Sequence, residues 1–396
     1  MTRLWDKGGA LDARVLKYTA GEDHLLDNRL VRYDIVASIA HAEMLHQQSL
    51  LSATDLNAIL GALHAIGEEH ARGEWRVTLE QEDCQTAIEN RLTERIGAAG
   101  GRLHAGRSRN DQVLAALRLY MRDAASELED GAITVADELD ALAARDGRIE
   151  LPGYTHLQQA MPSTVALWAG GYAAEVRDDA AGLAQARRRI DKNPLGSAAG
   201  FGTPNLPVSR ESTRQRLNFA VTQEPVTAVQ LSRGKAEAHL LFEITLLTQD
   251  LSRLAADLVL FFSQEFKFVS LPAEFTTGSS IMPQKRNPDV FELMRGRGAV
   301  ALAALNEVLA ITQKLTSGYQ RDLQLIKAPL FRGIDSCFET LAILPAALHG
   351  LRFLPENVRL DPSIHAAAAA NRLVAEQGIP FREAYRQVAA KFLDPK

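Results

Sequence analysis

The sequence has very few cysteines, few aromatic residues and no long apolar run. Only Cys84 and Cys337 occur in 396 residues, which is too few for a disulfide framework or a cysteine-based zinc site. Aromatic residues make up 6% and β-branched alternation is short, so the signals for strands are weak. No apolar run approaches the length of a membrane span, and the first 25 residues lack the apolar segment of a secretory signal. These absences predict a soluble protein of the reducing cytoplasm.

An excess of charge of one sign is also lacking. The chain has 44 Lys and Arg residues against 49 Asp and Glu residues, a net charge of -5. It therefore has no general attraction to nucleic acid or to an anionic membrane, and any anion binding must be local. No Gly-rich phosphate or dinucleotide motif occurs in a strand–helix context, and no metal-ligand spacing such as His-Glu-x-x-His is found. We expect no nucleic-acid or membrane partner and no metal or cofactor.

Helical periodicity, by contrast, is sustained over long distances. It covers residues 112–147, 162–191, 234–264 and 288–316, whereas ordinary helices average about a dozen residues. Asn287 is a good N-cap for the last stretch, and Pro288 suits a first helical position. With 46% hydrophobic residues, the chain is long enough for two or three domains with large cores. The predicted class is all-α, built on a bundle of long helices.

A loop precedes the last of these stretches. Residues 278–288 read Gly-Ser-Ser-Ile-Met-Pro-Gln-Lys-Arg-Asn-Pro. The glycine and the two prolines prevent a regular helix, so Ser279, Lys285 and Asn287 are presented where backbone amides are free to meet a ligand. By composition alone this is a connector between helices. As a set, the hydroxyl, ammonium and amide groups suit an anion.

This string resembles the signature loop of the fumarase/aspartase superfamily, whose members eliminate across a carbon–carbon bond to release fumarate or a similar product. Three further segments resemble the argininosuccinate lyase family. They are His-Ala-Gly-Arg-Ser-Arg-Asn-Asp-Gln at 104–112, Gly-Tyr-Thr-His-Leu-Gln at 153–158 and Tyr-Gln-Arg-Asp-Leu-Gln-Leu-Ile-Lys at 319–327. The resemblance runs from about residue 20 to about residue 390. It implies reversible cleavage of argininosuccinate to arginine and fumarate in arginine biosynthesis, without metal or organic cofactor.

The resemblance also implies catalytic roles. Ser279 is the base, acting as an alkoxide, while Lys285 and Asn287 hold the negative charge that develops. His156 pairs with Glu292 and either transfers a proton or positions substrate. From the residues alone, a lone histidine is more often packed, and a carboxylate in the first turns of a helix can serve only the helix dipole.

Further residues are expected to bind the succinate part of the substrate. Ser108, Arg109 and Asn110 lie immediately before a long helix, where Arg109 can grip a carboxylate bidentately and the first amides favour the same anion. By resemblance, Thr155 and Gln158 add polar contacts.

The arginine half is expected to contact Tyr319, Gln324 and Lys327, again by resemblance. A Tyr and a Lys at the end of a bundle helix are otherwise commonly amphipathic surface residues.

The family plan implies three domains: an N-terminal helical domain at 1–105, a central long-helix bundle at 106–350 and a short C-terminal helical domain at 351–396. In that plan a homotetramer packs its long helices into a central bundle of twenty. Each site then draws Ser108–Asn110, His156 and Ser279 from three different subunits. Family members usually continue for several more helices, so we expect the third domain to be abbreviated or truncated.

Two departures from the family keep alternatives open. Gln85 stands where the family typically has a histidine, and glutamine cannot transfer a proton at neutral pH. Residues 231–235 read Leu-Ser-Arg-Gly-Lys, in place of a frequent acidic Ser-Asp-Arg-Asp version, although Arg233 is retained. The alternatives are a fumarate-releasing lyase of the same superfamily with another substrate, and a catalytically weak, crystallin-like structural homologue.

Overall fold

The computed structural model describes residues 12–392 and is built almost entirely of α-helices, which confirms the predicted all-α class. In chain order the helices are α1 (Ala13–Ala20), α2 (Asp23–Leu26), α3 (Val31–Gln47), α4 (Ala53–Ala71), α5 (Cys84–Ile96), α6 (Ala98–Arg102), α7 (Arg109–Asp146), α8 (Val165–Ile190), α9 (Arg210–Arg216), α10 (Ala228–Leu231), α11 (Lys235–Phe262), α12 (Asp289–Thr312), α13 (Lys327–Gly350), α14 (Ala366–Gln377) and α15 (Phe381–Phe392). Six short strands pair in twos: β1 (Glu150–Thr155) with β2 (Gln158–Thr164), β3 (Lys192–Asn193) with β4 (Val221–Thr222), and β5 (Val269–Ser270) with β6 (Arg352–Phe353). Within this described part, no helix is both long and apolar enough to cross a membrane.

The four long helices predicted from periodicity are present as α7, α8, α11 and α12. Their bounds differ from the predicted ones by a few residues at the ends, where the last turns of helices vary most. A fifth long helix, α13, was missed. Pro345 lies inside it, and a proline in the middle of a window weakens a helical prediction.

The chain forms two compact units, each assembled from three separate segments. The first unit comprises residues up to 129, 181–245 and 299–336, and the second comprises 130–180, 246–298 and the residues from 337 onward. The three consecutive domains expected at 1–105, 106–350 and 351–396 stay a prediction. Residues 1–11 and 393–396, at the outer ends of that division, lie outside the described residues.

Side-chain caps fix where helices of the first unit begin. Ser52 accepts a hydrogen bond from Asp55 N (3.1 Å) at the start of α4, and Asp83 accepts one from Thr86 N (2.9 Å) at the start of α5. Such caps satisfy amides that the first helical turn leaves without partners, and each contributes about 1 kcal/mol. The Asp83 cap follows Glu82, whose φ of 66° turns the chain sharply into α5.

The turn before α7 requires a glycine. Gly106 has a φ of +72°, and a Cβ there would lie 2.6 Å from Val208 Cγ2. The preceding carbonyl oxygen, of Ala105, lies 2.9 Å from Nε2 of the buried His41. This turn brings Ser108 to the position directly before α7.

The loop predicted at 278–288 is non-helical, as expected, and α12 begins at Asp289. One antiparallel bridge closes its neck, because Thr277 N donates to Asn287 O (3.1 Å) and Asn287 N donates to Thr277 O (2.9 Å). The bridge fixes the ends of the loop and leaves the residues between them on the surface.

A hairpin in the second unit was not predicted. β1 and β2 are antiparallel, and His156 and Leu157 form the turn between them with φ values of 56° and 58°. The stretch predicted to be helical from residue 162 becomes helical later: Pro162 lies in β2 opposite Pro152, and α8 begins at Val165. Prolines are tolerated here because each strand of a two-stranded ribbon is an edge strand.

We predict that Gly106→Ala destabilises the protein by about 1–3 kcal/mol, because alanine is strained at this positive φ and its Cβ overlaps Val208. Gly101→Ala is the matched control. Gly101 lies in α6, and no atom lies within 4 Å of its would-be Cβ, so this change should be neutral or stabilising. Urea unfolding of both variants measures the difference. Equal stability of the two variants would contradict the proposed constraint at Gly106.

Candidate active site

A cavity of about 350 Å³ in the first unit gathers six of the residues predicted to bind substrate. Its wall carries both carboxylates and cations, and we call it the mixed-charge cavity. It is lined by Ala20, Asp23, Glu82, Asp83, His104, Arg107, Ser108, Arg109, Asn110, Val113, Arg233, Tyr319, Arg321, Leu323, Gln324 and Lys327. The predicted residues among them are Ser108, Arg109, Asn110, Tyr319, Gln324 and Lys327. Segments that are distant in sequence therefore meet at one place in the fold.

The Lys327 ammonium is buried in the wall of this cavity and is already paired. The residue is 2% exposed, and its Nζ lies 2.6 Å from Asp27 Oδ1 and 2.9 Å from Asp23 Oδ2. Burial on its own lowers the pKa of Lys327, but the two carboxylates outweigh burial and the pKa is raised. Lys327 is therefore protonated, and its predicted substrate contact involves a cation that already has two protein partners.

Two buried carboxylates share this one ammonium. Burial raises the pKa of Asp23 to about 7; the Lys327 charge opposes this shift, and the Asp27 charge adds to it. Burial also raises the pKa of Asp27, which is fully buried. A proton held by this pair of carboxylates near neutral pH lowers the cost of burying two negative charges beside one positive charge.

Arg109 is held by two further carboxylates. Its Nε lies 3.0 Å from Asp83 Oδ2 and its Nη1 lies 3.5 Å from Glu82 Oε2, while its Nη2 donates to Thr86 Oγ1 (3.0 Å). These contacts bind the first residue of α7 to the start of α5. They occupy donors that a bidentate grip on a ligand would use. The observed contacts position α7, and carboxylate binding by Arg109 stays a prediction.

Asp111 holds the start of α7 against a second loop. Its carboxylate accepts hydrogen bonds from Ser108 N (3.0 Å), Gly196 N (3.0 Å) and Ala198 N (2.8 Å). Burial raises the pKa of Asp111 to about 6, although these amide hydrogen bonds oppose the shift. Through Asp111, a residue that the sequence did not single out, Ser108 and its neighbour Asn110 are held in the cavity wall.

Gln324 fixes the N-terminal segment beside the cavity. Its Nε2 donates to Thr19 O (2.9 Å) and to Ala20 O (3.1 Å). These bonds place Ala20, and with it Asp23 three residues later, in the wall. Tyr319 lines the same cavity.

Gln85, which stands where the family typically has a histidine, does not line the mixed-charge cavity. It is 1% exposed, and its Nε2 donates to Oδ2 of the buried Asp34 (2.9 Å). Its Oε1 has no hydrogen-bond partner among residues 12–392. The side chain therefore supports the packing behind the cavity.

The loop of the second unit gives Ser279 an environment that favours an oxyanion. Ser279 Oγ accepts hydrogen bonds from Met282 N (3.2 Å) and Ile281 N (3.4 Å). Donors aimed at a hydroxyl oxygen stabilise its deprotonated form more than its neutral form. Ser279 is half-buried, while the neighbouring Ile281 is 83% exposed.

Three other predicted residues of the second unit share a cavity of about 610 Å³, which we call the loop cavity. Lys285 and Glu292 are exposed in its wall, and Asn287 is half-buried. Asn287 Nδ2 donates to Gly278 O and to Thr277 Oγ1, each at a distance of 3.4 Å. Asn287 thus braces the neck of the loop, whereas Lys285 extends from it.

The hairpin turn presents the remaining predicted residues. Thr155, His156 and Gln158 are all exposed, and Leu157 between them is 76% exposed. Left-handed backbone at two non-glycine residues is uncommon and costs about 1 kcal/mol or more at each position. Strain of this kind concentrates at functional positions, so it supports a functional role for His156.

The structure thus presents the predicted residues in three groups, one in the first unit and two in the second. Within residues 12–392, no hydrogen bond or ion pair links His156 to Glu292, the pair implied by the family resemblance. In the same part of the chain, no group of three or more His, Cys, Asp or Glu side chains is arranged to hold a metal ion. The absence of a cofactor stays a prediction.

Sequence reasoning missed Asp23, Glu82 and Asp83, the carboxylates of the mixed-charge cavity, and Asp27, which pairs with Lys327 beside it. Asp83 had a local signal, since it stands in an N-cap position before a helical stretch. Asp23 and Asp27 had none, because their importance arises from Lys327, which lies 300 or more residues further along the chain.

Comparison with known proteins shows which family the chain resembles. The lyase family matches residues 10–302. The chain is 46% identical to the argininosuccinate lyase of Sorangium cellulosum (strain So ce56), over 98% of this chain and 90% of that protein. It is 44% identical to the argininosuccinate lyase of Xylella fastidiosa (strain 9a5c), over 99% of this chain and 88% of that protein.

Solved structures share the fold. An EDDS lyase in complex with formate superposes with a TM-score of 0.83 at 25% identity, covering 96% of this chain and 76% of that one. The class II fumarase of Schistosoma mansoni superposes with a TM-score of 0.81 at 17% identity, covering 99% and 90% of the two chains.

We predict that Asp23→Asn becomes more stable, relative to the parent protein, as pH rises from 5 to 8. The folded-state pKa of Asp23, about 7, lies above the value of 3.8 for an exposed aspartate. The folded parent therefore holds a proton that the unfolded chain has lost. Its stabilising contribution is complete below about pH 4 and is lost as pH rises through 7, by at most about 1.4 kcal/mol per pH unit. Asparagine does not titrate.

Urea unfolding at several pH values measures this difference, with Asp130→Asn, at an exposed position of α7, as the control. The control should keep the pH dependence of the parent. If Asp23→Asn instead loses stability relative to the parent as pH rises, Asp23 is ionised and favourably paired in the folded protein, and the shared-proton account is wrong.

Proposed function

Because this chain belongs to the argininosuccinate lyase family, we propose that it cleaves argininosuccinate reversibly into arginine and fumarate, as a step of arginine biosynthesis in the cytoplasm. The observation that carries this proposal is the pairing of two features. One is a loop with an amide-supported serine oxygen, and the other is a cavity whose wall carries charges of both signs. Both are what an elimination from a substrate with charged groups of both signs requires.

The reaction breaks one carbon–nitrogen bond. A base removes a proton from the succinate carbon next to a carboxylate. The electron pair left on that carbon is first delocalised into the carboxylate, which gives an aci-carboxylate. It then forms the carbon–carbon double bond of fumarate as the bond to the guanidine nitrogen breaks. The departing nitrogen receives a proton and becomes part of the guanidinium group of arginine. The hard step is the first, because negative charge accumulates on a group that is already an anion.

Ser279 is the proposed base. A serine hydroxyl is a poor base in water, but the amides of Ile281 and Met282 both donate to its oxygen. Lys285, six residues further on the same loop, supplies a positive charge, and Asn287 holds the neck of the loop. Closing the loop over substrate would exclude water and strengthen each of these interactions.

His156 and Glu292 form the second proposed catalytic pair. A carboxylate beside an imidazole keeps it correctly oriented and basic, which suits either proton transfer or positioning. Both side chains are exposed and are not in contact within the chain. We therefore assign the pairing to side chains of different subunits.

The succinate carboxylates bind to the polar groups of two segments. Ser108 and Asn110 lie at the start of α7, where the first amides and the helix dipole favour an anion. Thr155 and Gln158 flank the hairpin turn. Arg109, whose guanidinium is engaged by Glu82 and Asp83, adds positive charge nearby and orients the helix.

The arginine half binds in the mixed-charge cavity. It carries a guanidinium, an ammonium and a carboxylate, so a wall with Asp23 beside Lys327 offers a partner to groups of both signs. Tyr319 and Gln324 complete the contacts. Adenylosuccinate lacks the guanidinium and ammonium groups with which the carboxylates of this wall would pair.

A homotetramer is part of the proposal, because burial in a subunit interface would stabilise the exposed apolar residues. Leu293 is 64% exposed on α12, Phe242 is 45% exposed on α11, and Leu157 and Ile281 are exposed beside the proposed catalytic residues. Large apolar side chains on a helix face favour association. Packing long helices of four chains into a bundle of twenty would bury these faces and bring the separate groups of site residues together.

We predict that the purified protein releases fumarate from argininosuccinate and not from adenylosuccinate, measured by ultraviolet absorbance. Ser279→Ala should lower kcat about 10²–10⁴-fold and leave KM nearly unchanged, because the base acts in the transition state. Ser280→Ala, at the exposed neighbouring hydroxyl, is the matched control and should remain active. Turnover of adenylosuccinate alone would favour a sister lyase, and no turnover of either would favour a crystallin-like structural protein. Full activity of Ser279→Ala would remove Ser279 as the base.

We predict that two inactive variants, Ser279→Ala and His156→Asn, regain activity when their subunits exchange. In a tetramer whose sites combine three chains, a site is complete when one donor supplies His156 and another supplies Ser279, each with probability one half. Random mixing then yields roughly a quarter of the parent activity.

The control mixes Ser279→Ala with the double variant Ser279→Ala/His156→Asn, which never supplies Ser279 and should stay inactive. Native mass spectrometry verifies that subunits have exchanged. Persistent inactivity of the first mixture after verified exchange would place both residues in one chain.

A further inference from the structure

A second cavity of the first unit, of about 460 Å³, is lined by cations without any acidic residue. We call it the basic cavity. Its wall consists of Arg118, Arg189, Lys192, Gln223, Ala228, Leu231, Ser232, Lys235 and Ala236. It shares no lining residue with the mixed-charge cavity. Four cations in one wall are unexpected in a chain whose net charge is -5.

Arg118 lines the basic cavity, and within residues 12–392 it makes no ion pair with a carboxylate. It is 1% exposed, its Nη1 donates to Lys192 O (2.5 Å) and its Nη2 donates to Ser232 Oγ (2.9 Å). Both partners are neutral, and Nε has no hydrogen-bond partner within the described residues. Burial lowers the pKa of Arg118 to about 10; Glu237 opposes this shift, and the positive charges of Arg233 and Arg210 add to it. A buried guanidinium that is bonded only to neutral groups is costly unless an anion approaches it.

The rim adds three cations that are likewise not in ion pairs within residues 12–392. Arg189 and Lys235 are exposed, and Lys192 is half-buried. Lys235 is also the first residue of the 28-residue helix α11, whose N-terminus adds a positive partial charge. The side chains, the backbone and the helix dipole thus all contribute positive charge at the basic cavity.

Two acidic side chains adjacent in sequence to wall residues interact with groups outside the cavity wall. Glu237 accepts from Gly234 N (2.9 Å) and lies 3.8 Å from Arg233. Asp191 accepts from Ala220 N (3.2 Å) and lies 3.5 Å from Arg122. Neither lines the basic cavity, so its wall presents cations and no carboxylate to a ligand.

We propose that the basic cavity is a binding site for a small molecule that bears phosphate groups, separate from the site of lyase chemistry. A multivalent oxyanion would supply the counterion that Arg118 lacks and would accept hydrogen bonds from the rim cations. The Ser232 hydroxyl, which donates to Val229 O (2.8 Å), and the Gln223 amide add polar groups to the wall. The cavity is larger than a single phosphate needs, which favours a diphosphate or a phosphorylated metabolite over inorganic phosphate.

The test is calorimetric titration of the intact protein with inorganic pyrophosphate and, separately, with inorganic phosphate, at constant ionic strength set with chloride. We expect pyrophosphate to bind with one site per chain and more tightly than phosphate. The double variant Arg189→Gln/Lys235→Gln should weaken pyrophosphate binding about tenfold or more, because it removes two of the four cations. Its argininosuccinate turnover should stay within twofold of the parent.

The charge-matched control is Arg188→Gln/Lys314→Gln, which removes two exposed cations that line neither the basic nor the mixed-charge cavity. It should leave pyrophosphate affinity within twofold of the parent. Equal loss in both double variants would mean that pyrophosphate responds only to net charge, and the proposal would be wrong. It would also be wrong if pyrophosphate fails to bind the parent protein at millimolar concentration.

Discussion

The buried contact of Lys327 with Asp23 and Asp27 is the interaction on which the mixed-charge cavity depends. It joins residues 300 apart in sequence, at distances of 2.6 and 2.9 Å, in a place where water is excluded. Breaking such a contact would leave two carboxylates buried without a cation, at a cost of about 3–5 kcal/mol. Since Lys327 and Asp23 line the cavity, this interaction between distant segments also fixes where the cavity wall carries charge.

The two kinds of proposed site residue differ in how they are held. Those of the first unit are in a network of buried charges and backbone hydrogen bonds, so the cavity is preformed. Ser279 and His156 lie on an exposed loop and an exposed hairpin turn, each beside a large exposed apolar residue. This division suits a reaction in which substrate is first held by its charges. In the proposed tetramer, the loop and the hairpin turn of neighbouring subunits would then complete the arrangement that removes the proton.

The sequence predicted what depends on local pattern and missed what depends on distant contacts. The long helices followed from periodicity, and the 278–288 loop followed from its glycine and prolines. The hairpin turn at His156 was missed because its left-handed conformation is set by the pairing of β1 with β2, not by a glycine or asparagine in the turn. The importance of Asp23 could be recognised only from its contact with Lys327 in the fold. That Arg118 makes no ion pair could likewise be recognised only from its structural surroundings.

The most direct test of the account is a crystal structure of Ser279→Ala with argininosuccinate bound. The account predicts that the arginine half lies in the mixed-charge cavity of one subunit, in contact with Asp23 and Tyr319. It also predicts that the succinate carbon faces the 278–288 loop of another subunit and the His156 hairpin of a third. An arginine half bound outside the mixed-charge cavity, or a complete site built from one chain, would contradict it.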